Sequence, residues 1–134
     1  MKHKTNHLRI RIYYEDTDCG NVVYYANYLK YMERGRTEAM RDLGFDFAQL
    51  HEQDTLFVVV EAHVKYHKSA RHNDVLDVAT TIISYSPAAI TFGYEIANQR
   101  KELCVSGEVK AACVTAAGRL KRVPPEIMKV LDGA

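Results

Sequence analysis

The chain has 134 residues, 47% of them hydrophobic, and a formal net charge of +1. That length suits one domain with its own core, spanning residues 1–134. The near-neutral balance implies no general surface for nucleic acid or membrane. No stretch approaches the roughly 20 apolar residues of a spanning helix. The opening MKHKTNHLRI lacks the apolar run of a secretory signal. Cys19, Cys104 and Cys113 are odd in number and form no CxxC pair. They read as free thiols in a reducing compartment, so the expected location is the cytoplasm.

Leu8 to Tyr14 alternates apolar and polar residues and predicts a half-buried strand. Glu15 to Asn21 is rich in Asp, Thr, Gly and Asn and reads as a turn. A helical pattern then runs to Leu43, with Gly44 as its stop. Its apolar stripe is Leu29, Met32, Ala39, Met40 and Leu43, extended by Tyr25 and Tyr28. Gly35 inside that helix suggests the close approach of another backbone. Phe45 to Asp54 reads as a short second helix or a loop.

Four β-runs follow: Thr55 to Ser69, Val75 to Tyr85, Ile90 to Asn98 and Leu103 to Thr115. The breaks at Ser86-Pro87 and Asn98 to Glu102 are hairpin-like. Arg119 to Val123 is a further extended run after the Ala116-Ala117-Gly118 turn. Pro124-Pro125 opens a terminal helix, Glu126 to Leu131. Short connections favour antiparallel neighbours. One long helix with one such sheet makes an α+β domain.

The chemistry concentrates at the first turn. Asp18 lies just ahead of a helix N-terminus, whose first amides lack internal partners and can bind an anion or a developing oxyanion. The plainer reading is that Asp18 only caps a turn. Asp16 reads as a turn former. Cys19 has no neighbouring His in sequence to make it a thiolate. His63 and His67 have metal-ligand spacing for a helix, but on a strand four residues span about 13 Å, too far to share an ion.

Tyr14-Glu15-Asp16-Thr17-Asp18-Cys19-Gly20-Asn21-Val22-Val23-Tyr24, followed by Tyr28, Glu33, Arg34 and Arg36, resembles the hot-dog acyl-CoA thioesterases. The nearest branch is the 4-hydroxybenzoyl-CoA thioesterase type associated with the bacterial tol-pal system. Ala70, Arg71 and Asp74 and the Val58-Val59 block fit the same pattern. The resemblance implies a long central helix wrapped by a five- to six-stranded antiparallel sheet. It implies homodimers or homotetramers with sites at subunit interfaces, no metal and no organic cofactor.

Residue by residue, the resemblance puts the catalytic acid at Asp18, turn and oxyanion positions at Gly20 and Tyr24, and a substrate contact at Val22. Tyr14 matches a site tyrosine. Where the family often has His, seven residues after the acid, this chain has Tyr25. A phenol with its ordinary pKa near 10 can donate a hydrogen bond but is a poor base at neutral pH. The expected chemistry is thioester hydrolysis, with Asp18 as nucleophile or general base and the amides around Tyr24 and Tyr25 polarising the carbonyl. Val58, Val59 and Val60 are expected to line the acyl pocket from a partner subunit. Basic groups should meet the CoA phosphates. Arg119, Lys121 and Arg122 form one candidate group, and Lys68, Arg71 and His72 another. Acyl carrier protein is an alternative carrier, and a non-catalytic acyl-thioester-binding protein is the rival reading.

Overall fold

The computed structural model describes residues 4–133. The elements, in order, are β1 (Asn6–Arg11), a 3-10 turn (Tyr14–Asp16), α1 (Asn27–Asp42), α2 (Phe47–Glu52), β2 (Leu56–Tyr66), β3 (Val75–Tyr85), β4 (Ala89–Ala97), β5 (Leu103–Val114) and α3 (Pro125–Gly133). All strand pairs are antiparallel, and the sheet runs β1-β3-β4-β5-β2. Among the described residues no helix is long and apolar enough to cross a membrane.

A period of two in burial along the central strands is what seats α1. Leu76, Val78, Thr80 and Ile82 of β3 turn inward, as do Ile90, Phe92, Tyr94 and Ile96 of β4. They meet Tyr28, Tyr31, Met32, Gly35, Ala39 and Met40 on the buried face of α1. The helix ends as its glycine predicts. Gly44 takes φ 96°, its N–H donates to Arg41 O at 2.9 Å, and Phe45 N–H donates to Met40 O at 2.9 Å. These two bonds form a Schellman motif. α2 is capped by Asp46, whose Oδ1 accepts from Ala48 N–H at 2.8 Å. Val123, Ile127 and Leu131 add the C-terminal segment to the same core.

Several boundaries differ from the sequence reading. β1 stops at Arg11 rather than Tyr14, because Tyr13 N–H is taken by Asp16 Oδ2 at 2.8 Å and the chain curls into the 3-10 turn. α1 begins at Asn27, several residues after Gly20 and Asn21. Val22 and Val23 are spent on isolated bridges to Arg71 and Thr17. Arg119 to Val123 forms no strand; only Leu120 bridges back, to Val114. On α1, Leu29 is 44% exposed while Tyr31 is buried, so the inward face is turned from the predicted stripe. Gly35 is approached by side chains of β3 and β4 and not by a backbone.

β2 is an edge strand, paired only with β5. The register slips between Val59 and Glu61, leaving Val60 unpaired in a bulge. Val58, Val59 and Val60 are all exposed there.

Candidate active site

A cavity of about 290 Å³ lies where the Asp16–Tyr28 segment meets the end of β2. Its walls include Asp18, Val22, Tyr24, Tyr25, Tyr28, Tyr66, His67 and Lys68. The turn that carries Asp18 is tightly built. Asn21 N–H donates to Asp18 O at 3.1 Å, and Asp18 N–H donates to Val22 O at 2.9 Å. Asn21 sits at φ 63°, a left-handed conformation that Asn adopts more readily than most residues. Gly20 N–H donates to Asp18 Oδ1 at 2.8 Å. A Cβ on Gly20 would meet that same oxygen at 3.2 Å, so a bare Cα lets the carboxylate fold over the turn. Asp18 Oδ2 makes no hydrogen bond among the described residues.

Asp16 is the turn's structural acid. Besides holding Tyr13 N–H, its carbonyl accepts from Tyr24 N–H at 3.0 Å and from Asn27 Nδ2 at 2.8 Å. Tyr24 N–H, expected with the Tyr25 amide to polarise a carbonyl, is therefore already occupied within the loop. Tyr25 N–H has no acceptor among the described residues. Its peptide partner, Tyr24 O, accepts from Asn27 N–H at 2.9 Å. A trans peptide sets its N–H opposite its C=O, so Tyr25 N–H points out of the helix start on a segment that lines the cavity.

The segment after β2 anchors the site from below. Val23 N–H donates to Ala70 O at 2.8 Å, and Ala70 N–H donates to the buried Tyr28 hydroxyl at 3.2 Å. Burial raises the Tyr28 pKa, keeping that phenol protonated. Tyr25, Tyr28 and Tyr66 form an aromatic wall. Tyr66 meets Tyr25 edge-on at 6.2 Å between centroids and Tyr28 at 5.8 Å.

The remaining predicted residues are dispersed. Tyr14 is 74% exposed, outside the cavity lining, with its ring 6.0 Å from His72. Arg71 is exposed beside the site, bridged to Val22 through the backbone. Arg119 and Arg122 are exposed on the segment after β5 and do not line the cavity. Lys121 is engaged elsewhere. Its Nζ donates to Gln53 O at 3.3 Å, Asp54 O at 3.1 Å and Thr55 Oγ1 at 2.9 Å, closing the C-terminal end of α2. Lys68 lines the cavity, yet its ammonium pairs with Glu102. Val59 faces a separate groove of about 260 Å³ with Leu29, Glu33 and Arg36. A larger groove of about 320 Å³, between α1 and the start of β2, contains Glu33, Arg36 and His51. Cys19 is exposed, whereas Cys104 and Cys113 are buried, and burial raises both of their thiol pKa values. No cluster of metal-ligating side chains occurs among the described residues.

Tyr66, His67 and Ser69 were not expected at the site. Tyr66 closes an alternating run, which signals only which face of β2 it shares. Its place beside the start of α1 comes from β2 pairing with β5, 41 residues away in sequence from Tyr25. His67 turns Nε2 to Ser106 Oγ at 2.8 Å.

Residues 13–131 match the family model described as the thioesterase-like superfamily. An acyl-CoA thioesterase, YbgC, of Haemophilus influenzae is 41% identical over 122 residues, covering 88% of each chain. An acyl-CoA thioester hydrolase, YbgC, of Escherichia coli is 37% identical over 117 residues, covering 87% of each chain. A solved DHNA-CoA thioesterase from Staphylococcus aureus superposes with a TM-score of 0.93 at 26% identity, covering 96% of this chain and 89% of its own. The architecture is thus the α+β hot-dog fold, and the chain belongs to the thioesterase-like superfamily.

Proposed function

We propose that this protein hydrolyses acyl-CoA thioesters, with Asp18 as the reacting carboxylate and Tyr25 N–H as an oxyanion donor. The observation that carries this reading is the pairing of two unfilled groups on one cavity. Among the described residues Asp18 Oδ2 has no hydrogen-bond partner, while its Oδ1 is held by Gly20 N–H at 2.8 Å. Tyr25 N–H has no acceptor among the described residues and lies at the start of a helix of 16 residues. The positive end of that helix favours charge on the carbonyl oxygen. One preorganised donor of this kind is typically worth about 2.7–4 kcal/mol in the transition state.

Asp18 either attacks the thioester carbon, giving an anhydride that water then opens, or takes a proton from the attacking water. In both routes the C–S bond breaks, CoA leaves as the thiol and the acyl group leaves as a carboxylic acid. The YbgC relatives support CoA as the carrier. Val22 and the Tyr25–Tyr66 wall would hold the acyl group. Arg71, Arg119 and Arg122 remain candidates for the CoA phosphates, while the three carbonyl and hydroxyl contacts of Lys121 argue for a structural role. Free thiols at Cys19, Cys104 and Cys113 favour a reducing setting such as the cytoplasm.

A second copy of the chain completes the site in this reading. The exposed edge of β2 and the exposed Val58, Val59 and Val60 support it. A sedimentation mass of one chain at assay concentration would refute it. The test of the activity is hydrolysis of short, long and aromatic acyl-CoAs, and of the matching acyl carrier protein thioesters, by wild type and Asp18→Asn. A drop of about 10²-fold or more in kcat with folding retained is expected. Full activity in Asp18→Asn removes the assigned role, and tight binding without turnover by wild type favours the non-catalytic reading.

A further inference from the structure

Tyr66 makes a contact that a packing aromatic does not need. Its hydroxyl donates to Tyr25 O at 3.1 Å, across the gap between the end of β2 and the start of α1. In a continued helix, Tyr25 O would accept from Leu29 N–H, four residues on. Here Leu29 N–H donates to Ala26 O at 3.2 Å, and α1 starts only at Asn27. The phenol therefore occupies a carbonyl that the helix would otherwise recruit. The Tyr66 ring is itself held at 5.8 Å from Tyr28, a tyrosine that is 3% exposed and tied to Ala70.

We propose that Tyr66 is a positioning residue, whose hydroxyl keeps the Tyr25 carbonyl out of the helix and so sets the direction in which Tyr25 N–H meets the substrate. This rests on the thioesterase reading of the cavity. Tyr25 lies between two peptides with separate tethers: Tyr24 O is held by Asn27 N–H, and Tyr25 O by Tyr66. Releasing the second tether lets Leu29 N–H claim Tyr25 O. That would add a residue to α1, rotate the Tyr25–Ala26 peptide that carries this carbonyl, and pull on the Tyr24–Tyr25 peptide joined to it at the Tyr25 Cα. An oxyanion donor acts only at a fixed distance and angle from where the charge develops, so a small rotation is felt mainly in the transition state. Burial, followed by the neighbouring Tyr25, raises the Tyr66 pKa, which keeps the hydroxyl a donor at neutral pH.

Tyr66→Phe keeps the ring and deletes the donor. The expected result is a kcat roughly tenfold lower with KM within about twofold, because ground-state binding does not use the displaced amide. In ¹⁵N spectra of the same variant, the Tyr25 and Ala26 amides shift and Leu29 N–H gains protection from exchange. An unchanged kcat, a raised KM with unchanged kcat, or unmoved Tyr25 and Ala26 resonances would each overturn the proposal. Tyr66→Leu removes the ring as well; since that variant risks losing the fold locally, Tyr66→Phe decides. Asp18→Asn in the same assay separates the two levels. If it is inert while Tyr66→Phe is normal, the positioning role alone fails. If it is fully active, the reading of the cavity fails with it.

Discussion

Gly35→Ala tests how closely α1 sits on the sheet. In an exposed helix the change would stabilise by about 1 kcal/mol through propensity alone. At this position the new Cβ would lie 2.4 Å from Thr80 Oγ1, 3.1 Å from Val78 Cγ1 and 3.5 Å from Tyr94 Cε1. Ordinary carbon contacts begin near 3.5 Å, so the helix or β3 must give by roughly 1 Å. β3 has little freedom. Thr80 is fully buried and its strand is paired on both sides, to Asn6 of β1 and Tyr94 of β4. Overpacking of this kind costs typically 1–3 kcal/mol, and near the upper end here, so the net loss is about 1–2 kcal/mol after the propensity gain. For a chain of this size that is a fall in Tm of about 4–8 °C. Urea unfolding followed by far-ultraviolet dichroism measures it. Adding Thr80→Ala should recover about 1 kcal/mol as coupling in a double-mutant cycle. A Gly35→Ala protein as stable as wild type would refute the steric argument.

Lys121→Ala should lower stability by about 1–2 kcal/mol, since its ammonium closes the end of α2 on two exposed carbonyls and the buried Thr55. KM for acyl-CoA should stay unchanged; a severalfold rise in KM with unchanged Tm would make Lys121 a phosphate ligand instead. Glu102 carries a pH dependence of known sign. Lys68, then Asn98 and Arg100, hold its pKa at about 2, below the ordinary 4.5. A depressed carboxylate contributes stability that is present above its unfolded value and is lost as pH falls through the folded one. The Tm of wild type should therefore fall between pH 4.5 and about 2 more steeply than that of Glu102→Gln, and parallel curves would remove Glu102 from the acid response.

Much of this protein follows from local pattern. β-runs from Thr55 to Thr115 joined by short, hairpin-like breaks are enough for an antiparallel sheet, because a short connection cannot make a parallel crossover. Gly44 ends α1 because only a left-handed residue closes a Schellman motif. The motif from Asp16 to Val23 drew attention to Asp18 because acids, Gly and Asn at such spacing make a turn that ends in free amides. Tertiary structure decided which amide is free. Tyr24 N–H is consumed by Asp16 O, a contact between two parts of one loop that spacing cannot reveal, and Tyr25 N–H is left without an acceptor among the described residues. It also decided the contacts of Lys121 and Tyr66. As letters, Lys121 is one of three basic residues and Tyr66 the last apolar residue of a strand. Their partners at Thr55 and Tyr25 lie 66 and 41 residues away. A hydrogen bond is set by distance and angle in space, and only sheet pairing brings those atoms within reach.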